Sequence, residues 1–384
     1  MAAPTPNPFR FGALARDDAF TDREAEIAEL VADARNGQDV VIFAPRRFGK
    51  TSLVDRVHQR LVRDKVLVGH VNLMMAPTKE KLAERLAAVV YEDIAGPLTR
   101  ARDFTSRIFR GLRITPTMSV DAQTGLITFS FAAGRERQDI DATLERLLQL
   151  IAEVAADRER RALLVLDEFQ EIIELDPDLP KLLRTVFQEQ PDVAHFYLGS
   201  KRHMMQRIFN DEQEPFWRSA KQLELGPIPI GPFAEFITRR FAGTNRRTDS
   251  RIVNRLLAVT SGHPYATQEL CYFAWQEVGA EQRAEAADVD AALARVLSSE
   301  HAHFSLLWER ASSVQRVLLT ELAREPGRPL SADYRNRHNL PGPSTVQRAV
   351  ETLERQELVA RERGLVRIVE PFLAAWLQRD MRVP

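Results

Sequence analysis

The stretch VVIFAPRRFGKTSLV at residues 40–54 constrains this chain more than any other. Val40-Val41-Ile42-Phe43 is a short, uninterrupted apolar run rich in β-branched residues, the pattern of a strand buried on both faces of a parallel sheet. Residues 51–63 read as a helix. Between them, Ala44-Pro45-Arg46-Arg47-Phe48-Gly49-Lys50-Thr51 has the spacing of a Walker A phosphate loop. That layout serves a definite chemistry. Loop and helix N–H groups point at phosphates, Lys50 neutralises the β and γ oxygens, and the Thr51 hydroxyl sits on Mg²⁺. Gly49 lets the backbone turn close to the ligand. Ala44 stands where the usual pattern has its first glycine, and its methyl group costs little while φ stays negative. On this reading Ala44 through Ser52 contact the nucleotide.

The second half of such a site is Leu163-Leu164-Val165-Leu166-Asp167-Glu168, an apolar strand ending in two carboxylates. Asp167 would hold Mg²⁺ through water, and Glu168 would orient or deprotonate the attacking water. A base at Glu168 points to ATP hydrolysis as well as ATP binding. Further strands are expected at 65–73 and 194–198, with helices at about 140–155 and 178–190 between them. Strands alternating with helices predict an open α/β fold with a parallel sheet. Two alternating runs flank Asp121-Ala122-Gln123-Thr124-Gly125, a β-hairpin inserted at about 111–132. Its Met118, Ile127, Phe129 and Phe131 either cover a sheet edge or form a partner surface.

Beyond Leu223 the pattern changes. Prolines at 227, 229 and 232 mark a linker, and residues 233–300 read as helices only. From about Ser312 the order is helix, helix, helix, hairpin, which is that of a winged helix, with Pro341-Gly342-Pro343 separating its second and third helices. The expected domains are a P-loop core over 1–229, a helical lid over 230–305 and a winged helix over 306–384. A formal net charge of −1 provides no global field toward nucleic acid or anionic membrane, and the lone Cys271 excludes a disulfide framework or a multi-cysteine metal site. No apolar signal core opens the chain and no eighteen apolar residues run together, so a cytoplasmic protein with no membrane partner is expected.

VIFAPRRFGKTSLV, LLVLDEFQE, FYLGSKRHMM, PFWRSA and SGHPYATQEL, in this order, resemble the archaeal-type ATPases of the STAND branch of AAA+ proteins. The likeness covers nearly the whole chain, down to the final EPFLAAWL. It implies a core, lid and winged helix like those of origin-recognition ATPases and receptor switch ATPases. Ser200 and Arg202 then fall where the family carries a polar γ-phosphate sensor, although Lys201 to His203 also reads as a solvated basic turn. Arg218 resembles an arginine that reaches the phosphates of its own or a neighbouring subunit; pairing with a nearby acid is the alternative. His263 and Pro264 look like the lid element packed near adenine, with His263 equally suited to cap a helix. Phe20 and Arg23 resemble the segment lying against the base, or simply open a capped helix.

Output is less legible. The third winged-helix stretch, Ser344 to Leu358, buries Val346, Val350 and Leu353 and offers Gln347, Arg348, Glu351, Glu354 and Arg355 outward. A DNA-reading helix is usually more basic, though Arg361, Arg363 and Arg367 place positive charge on the wing. Three functions stand: an ATP-driven conformational switch that forms homo-oligomers or signals to a protein partner, a DNA-binding initiator-like or mobile-element ATPase, and an ATP/ADP-binding regulator with little hydrolysis.

Overall fold

The computed structural model describes residues 6–13, 19–95, 112–114, 116–120, 127–131, 137–362 and 364–381. The expected hairpin loop 121–125 and Arg363 lie outside these. The chain divides into two compact units. One comprises Arg23–Ala44 and Leu53–Leu225; the other comprises Met1–Asp22, Pro45–Ser52 and Gly226–Pro384.

In chain order the elements up to Leu225 are α1 (Glu24–Arg35), β1 (Val40–Phe43), α2 (Lys50–Arg63), β2 (Leu67–Asn72), α3 (Lys79–Val89), β3 (Thr117–Val120), β4 (Ile127–Ser130), α4 (Arg137–Asp157), β5 (Ala162–Asp167), α5 (Glu171–Leu175), α6 (Leu179–Phe187), β6 (Val193–Gly199), α7 (Arg202–Asn210) and β7 (Lys221–Glu224). Five strands form one parallel sheet in the order β2-β5-β6-β1-β7. β1, β5 and β6 are buried at every position, which is why, His195 and the terminal Asp167 apart, their sequences are apolar. Register brings Phe43 opposite Gly199 and Leu166 opposite Tyr197, so β1, β5 and β6 all end at one edge of the sheet. In open α/β sheets ligands bind beyond that carboxyl edge.

Periodicity predicts four strands of this sheet, and β7 is a fifth. Lys-Gln-Leu-Glu alternates half-buried and exposed positions because this edge strand has a neighbour on one side only, β1. Helix α3 is also unexpected, although Thr78 caps it by accepting from Lys81 N. The inserted hairpin is present as antiparallel β3 and β4, pairing Thr117 with Ser130. Phe129 and Phe131 join the core, Phe129 meeting Tyr91 edge-on at 5.6 Å, and β4 packs on α3; Met118 stays exposed. At α1 no side chain caps the helix: Arg23 takes the N-cap place in a left-handed conformation.

The other unit continues with α8 (Ile230–Ala242), α9 (Ser250–Thr260), α10 (Pro264–Glu277), α11 (Ala286–Arg310), α12 (Ser313–Arg324), α13 (Ala332–Arg337), α14 (Pro343–Arg355), β8 (Val359–Glu362), β9 (Leu365–Ile368) and α15 (Pro371–Asp380). Helices α12 to α14 followed by the β8-β9 hairpin give the winged-helix order. Backbone hydrogen bonds in both directions between Gly327 and Val366 add a third strand-like rung to the wing. A capping box of Ser312 and Gln315 starts α12, and Pro343 sits in the first turn of α14, where a missing N–H costs nothing. The 25-residue α11 runs through residue 305, and one continuous hydrophobic core serves α8 to α15. The N-terminal segment is strapped to this unit. Asn7 donates to Tyr272 O, Phe9 is fully buried against Phe236 and Phe241, and Phe11 meets Tyr265 and Tyr272 edge-on.

Candidate functional site

The phosphate loop leaves β1 at Ala44, which is buried and donates its N–H to Gly199 O at 3.4 Å. Its φ is not among the positive ones, so the alanine at the usual glycine place is unstrained. Two loop residues are left-handed, Arg47 at φ 66° and Gly49 at φ 86°. A Cβ built on Gly49 would meet nothing within 4 Å, so open space borders the loop just before the N-terminus of α2. An open, amide-lined turn at a helix start fits a phosphate group. Lys50 is buried, with Nζ 3.5 Å from Pro45 O, so its ammonium folds back over the loop; Thr51 is half-buried and Ser52 buried.

The three residues filling the loop are engaged by the lid and winged-helix residues of the same unit. Arg46 Nε lies 3.4 Å from Glu357 Oε2, just beyond α14. The Arg47 guanidinium lies over the Tyr265 ring at 4.4 Å. Phe48 is only 3% exposed and meets His263 edge-on at 4.5 Å. His263 N-caps α10, its Nδ1 accepting from Ala266 N, and Pro264 opens the helix. Burial, with Arg367 and Arg47 nearby, pushes the imidazole down to about 3, so it is neutral. Gly262 is required before it. At φ 71° a Cβ there would lie 2.5 Å from Ile228 O.

At the sheet's carboxyl edge, Asp167 ends β5 almost fully buried, its Oδ1 accepting from Glu168 N at 2.9 Å and its Oδ2 3.7 Å from His70 Nε2. Asn72 of β2 sits in register beside Asp167. Glu168 follows in a left-handed turn, φ 54°, which swings its carboxylate off the strand line. Two donors fix its Oε2: Ser200 Oγ at 2.8 Å and Gln170 Nε2 at 2.6 Å. Ser200, one of the two residues expected to sense the γ-phosphate, thus stands beside the Glu168 carboxylate. Gln170, His70 and Asn72 escaped the sequence reading. The signal for Gln170 was its place two residues after Glu168 in LDEFQ; His70 and Asn72 carried none, because strand register alone brings them there.

The basic turn after β6 is half-exposed and ion-paired, with His203 open to solvent. Lys201 pairs with Glu171 at 3.0 Å, and Arg202, at the start of α7, forks onto Glu224 of β7 at 2.7 and 3.0 Å. Arg218 is exposed at φ 50°, its guanidinium over Trp217 at 5.2 Å, and among the described residues no acid pairs with it. Arg23 is buried and pairs with Glu26 at 3.0 Å, while Phe20 is half-buried.

Residues 302–379 match a family described as a probable winged helix domain. No curated protein sequence matches the chain significantly. Among solved structures the fold is similar to the Walker-type ATPase of Pyrococcus abyssi, at 14% identity and a TM-score of 0.65, over 97% of this chain and 99% of that one. It is also similar to the ORC2 protein of Aeropyrum pernix, determined in ADPNP–ADP complexes, at 15% identity and a TM-score of 0.54, over 98% and 100%. Those identities speak to fold alone: a P-loop ATPase core followed by a winged helix. Residues 20–215, just over half of the sequence, match the family described as an ATPase domain predominantly from Archaea, and the chain belongs to that family.

Proposed function

We propose that the protein binds ATP in the loop 44–52, hydrolyses it, and uses the nucleotide to change how its lid and winged-helix residues are held. Lys50 would neutralise the β and γ phosphate oxygens, and the amides from Arg46 to Thr51 would cradle them. Mg²⁺, when bound, would offset phosphate charge, with the Thr51 hydroxyl and the Asp167 carboxylate holding it. Glu168 would take the proton of the attacking water, and Ser200 and Gln170 would hold that carboxylate in place. Phe20, Arg23 and Pro264 would border the base, with His263 as the cap behind them. Arg218, exposed beside Trp217, would serve a neighbouring copy of the chain, and Arg202, paired with Glu224 in the structure, would turn to the γ-phosphate when ATP is bound.

The observation carrying the switch is that Arg46, Arg47 and Phe48, three consecutive loop residues, contact Glu357, Tyr265 and His263. Phosphate and the C-terminal helices therefore draw on the same few residues. A ligand that binds one arrangement of them better shifts the population toward it. The outer face of α14 supports this over DNA reading: Gln347 donates to Glu351, and the wing's Arg361 and Arg367 pair with Glu354 and Glu362. The test is the mass in solution of Glu168→Gln with ATP, with ADP and without nucleotide, repeated with duplex DNA. Larger species with ATP alone support the switch. A salt-sensitive complex with DNA and no response to ATP would replace it with the initiator-like reading.

A further inference from the structure

Arg47 does more than stack on Tyr265. It lines a cavity of about 190 Å³ whose wall also carries Glu269 of α10, Glu300 and His303 of α11, and Glu370 just before α15. Three carboxylates and one guanidinium leave an excess of negative charge in a small, partly desolvated space. Glu269 is 5% exposed, and among the described residues its carboxylate accepts no hydrogen bond. Glu370 accepts from Phe372 N at 3.3 Å, which stabilises its ionised form locally. Tyr265 supplies the ring beneath the guanidinium. Arg47, an arm of the phosphate loop, is thus the permanent cation among these groups.

We propose that Glu269, Glu300 and Glu370 form a resting slot for Arg47, that nucleotide phosphates compete with this slot for the guanidinium, and that Glu269 takes up a proton when Arg47 leaves. The inference rests on the phosphate loop binding nucleotide. Arginine pairs with phosphate through strong charge-assisted bonds, so the loop's ligand can outbid a slot whose carboxylates also repel one another. Once the cation departs, like charges in a poorly solvated space favour the protonated acid. Burial, then Glu300 and Glu370, already push Glu269 up to about 7, with Arg47 pulling the other way. Loss of Arg47 therefore raises Glu269 further. Binding coupled to proton uptake is tightest below the resting value and weakens as pH rises through about 7.

The test is calorimetric binding of Mg·ADP to the full chain in two buffers of different ionisation enthalpy, from neutral pH upward. Wild type should take up part of a proton, with affinity falling by at most about tenfold per pH unit, the limit for one proton. Glu269→Gln should bind about threefold to tenfold tighter than wild type at the alkaline end, with no proton uptake, and this gain should vanish in the Arg47→Gln background. Binding by wild type without proton uptake, or pH profiles running parallel in wild type and Glu269→Gln, overturns the slot alone. No binding of Mg·ADP by wild type overturns the nucleotide reading as well.

Discussion

The carboxyl edge of the sheet and the phosphate loop are both assembled from charged residues, but they are held in different ways. At the edge, Asp167, Glu168, Gln170 and Ser200 lie within or just beyond two adjacent parallel strands, and strand register sets their spacing. The strands are fully buried, so the carboxylates stand on a rigid base. The loop has no such base. Arg46 and Arg47 are exposed, and their partners Glu357 and Tyr265 lie hundreds of residues further on. A site built on packed strands is preorganised for chemistry, and one held by distant partners is suited to respond. One region rests on packed strands and the other on contacts with distant residues.

The sharpest way to separate the two regions is Glu168→Gln. Turnover should drop about 100-fold or more, while nucleotide affinity stays within a few-fold of wild type, read by phosphate release and equilibrium binding. An equal loss of both would place Glu168 in binding and erase the distinction. Phe48→Ala attacks the loop instead. It removes a buried ring from the His263 contact and should cost about 3 kcal/mol in denaturant unfolding. A loss under about 1 kcal/mol would mean that the lid residues do not hold the loop.

Ser200→Ala deletes one of two donors to the Glu168 carboxylate. Turnover should fall about tenfold with stability nearly unchanged, since Gln170 still fixes the group. Loss of nucleotide binding in that variant would make Ser200 a ligand contact rather than a support for the base. The smallest effect belongs to Arg46 and Glu357. Their ion pair is exposed on the Arg46 side and half-buried on the other, so a double-mutant cycle on stability should give below about 1 kcal/mol, fading in high salt. A larger coupling, unscreened by salt, would make that pair a structural clamp.

Much of the sheet-edge geometry was legible in sequence because it is local. An apolar strand ending in Asp167-Glu168 announces both its fold and its carboxylates. Ser200, one position past a buried strand, is read the same way. His263 was legible as a cap and is one. What escaped were pairings without a local pattern. β7 has no apolar run, because an edge strand needs none on its open side. The pairing of Arg202 with Glu224, on that same unseen strand, likewise has no local signal.

The residues alone therefore determined a parallel α/β core, a phosphate loop, a carboxylate-ended strand and a winged-helix order, because burial periodicity and loop spacing are properties of short segments. Only the tertiary structure decided what the loop's own filling touches. Whether Arg46 meets Glu357, or Arg47 shares a cavity wall with Glu269, depends on side chains brought together by the packing of α10, α11 and the winged helix into one core. Charge pairs of that kind leave no period in the sequence, since an exposed arginine and a distant glutamate are each satisfied by water until the fold brings them together.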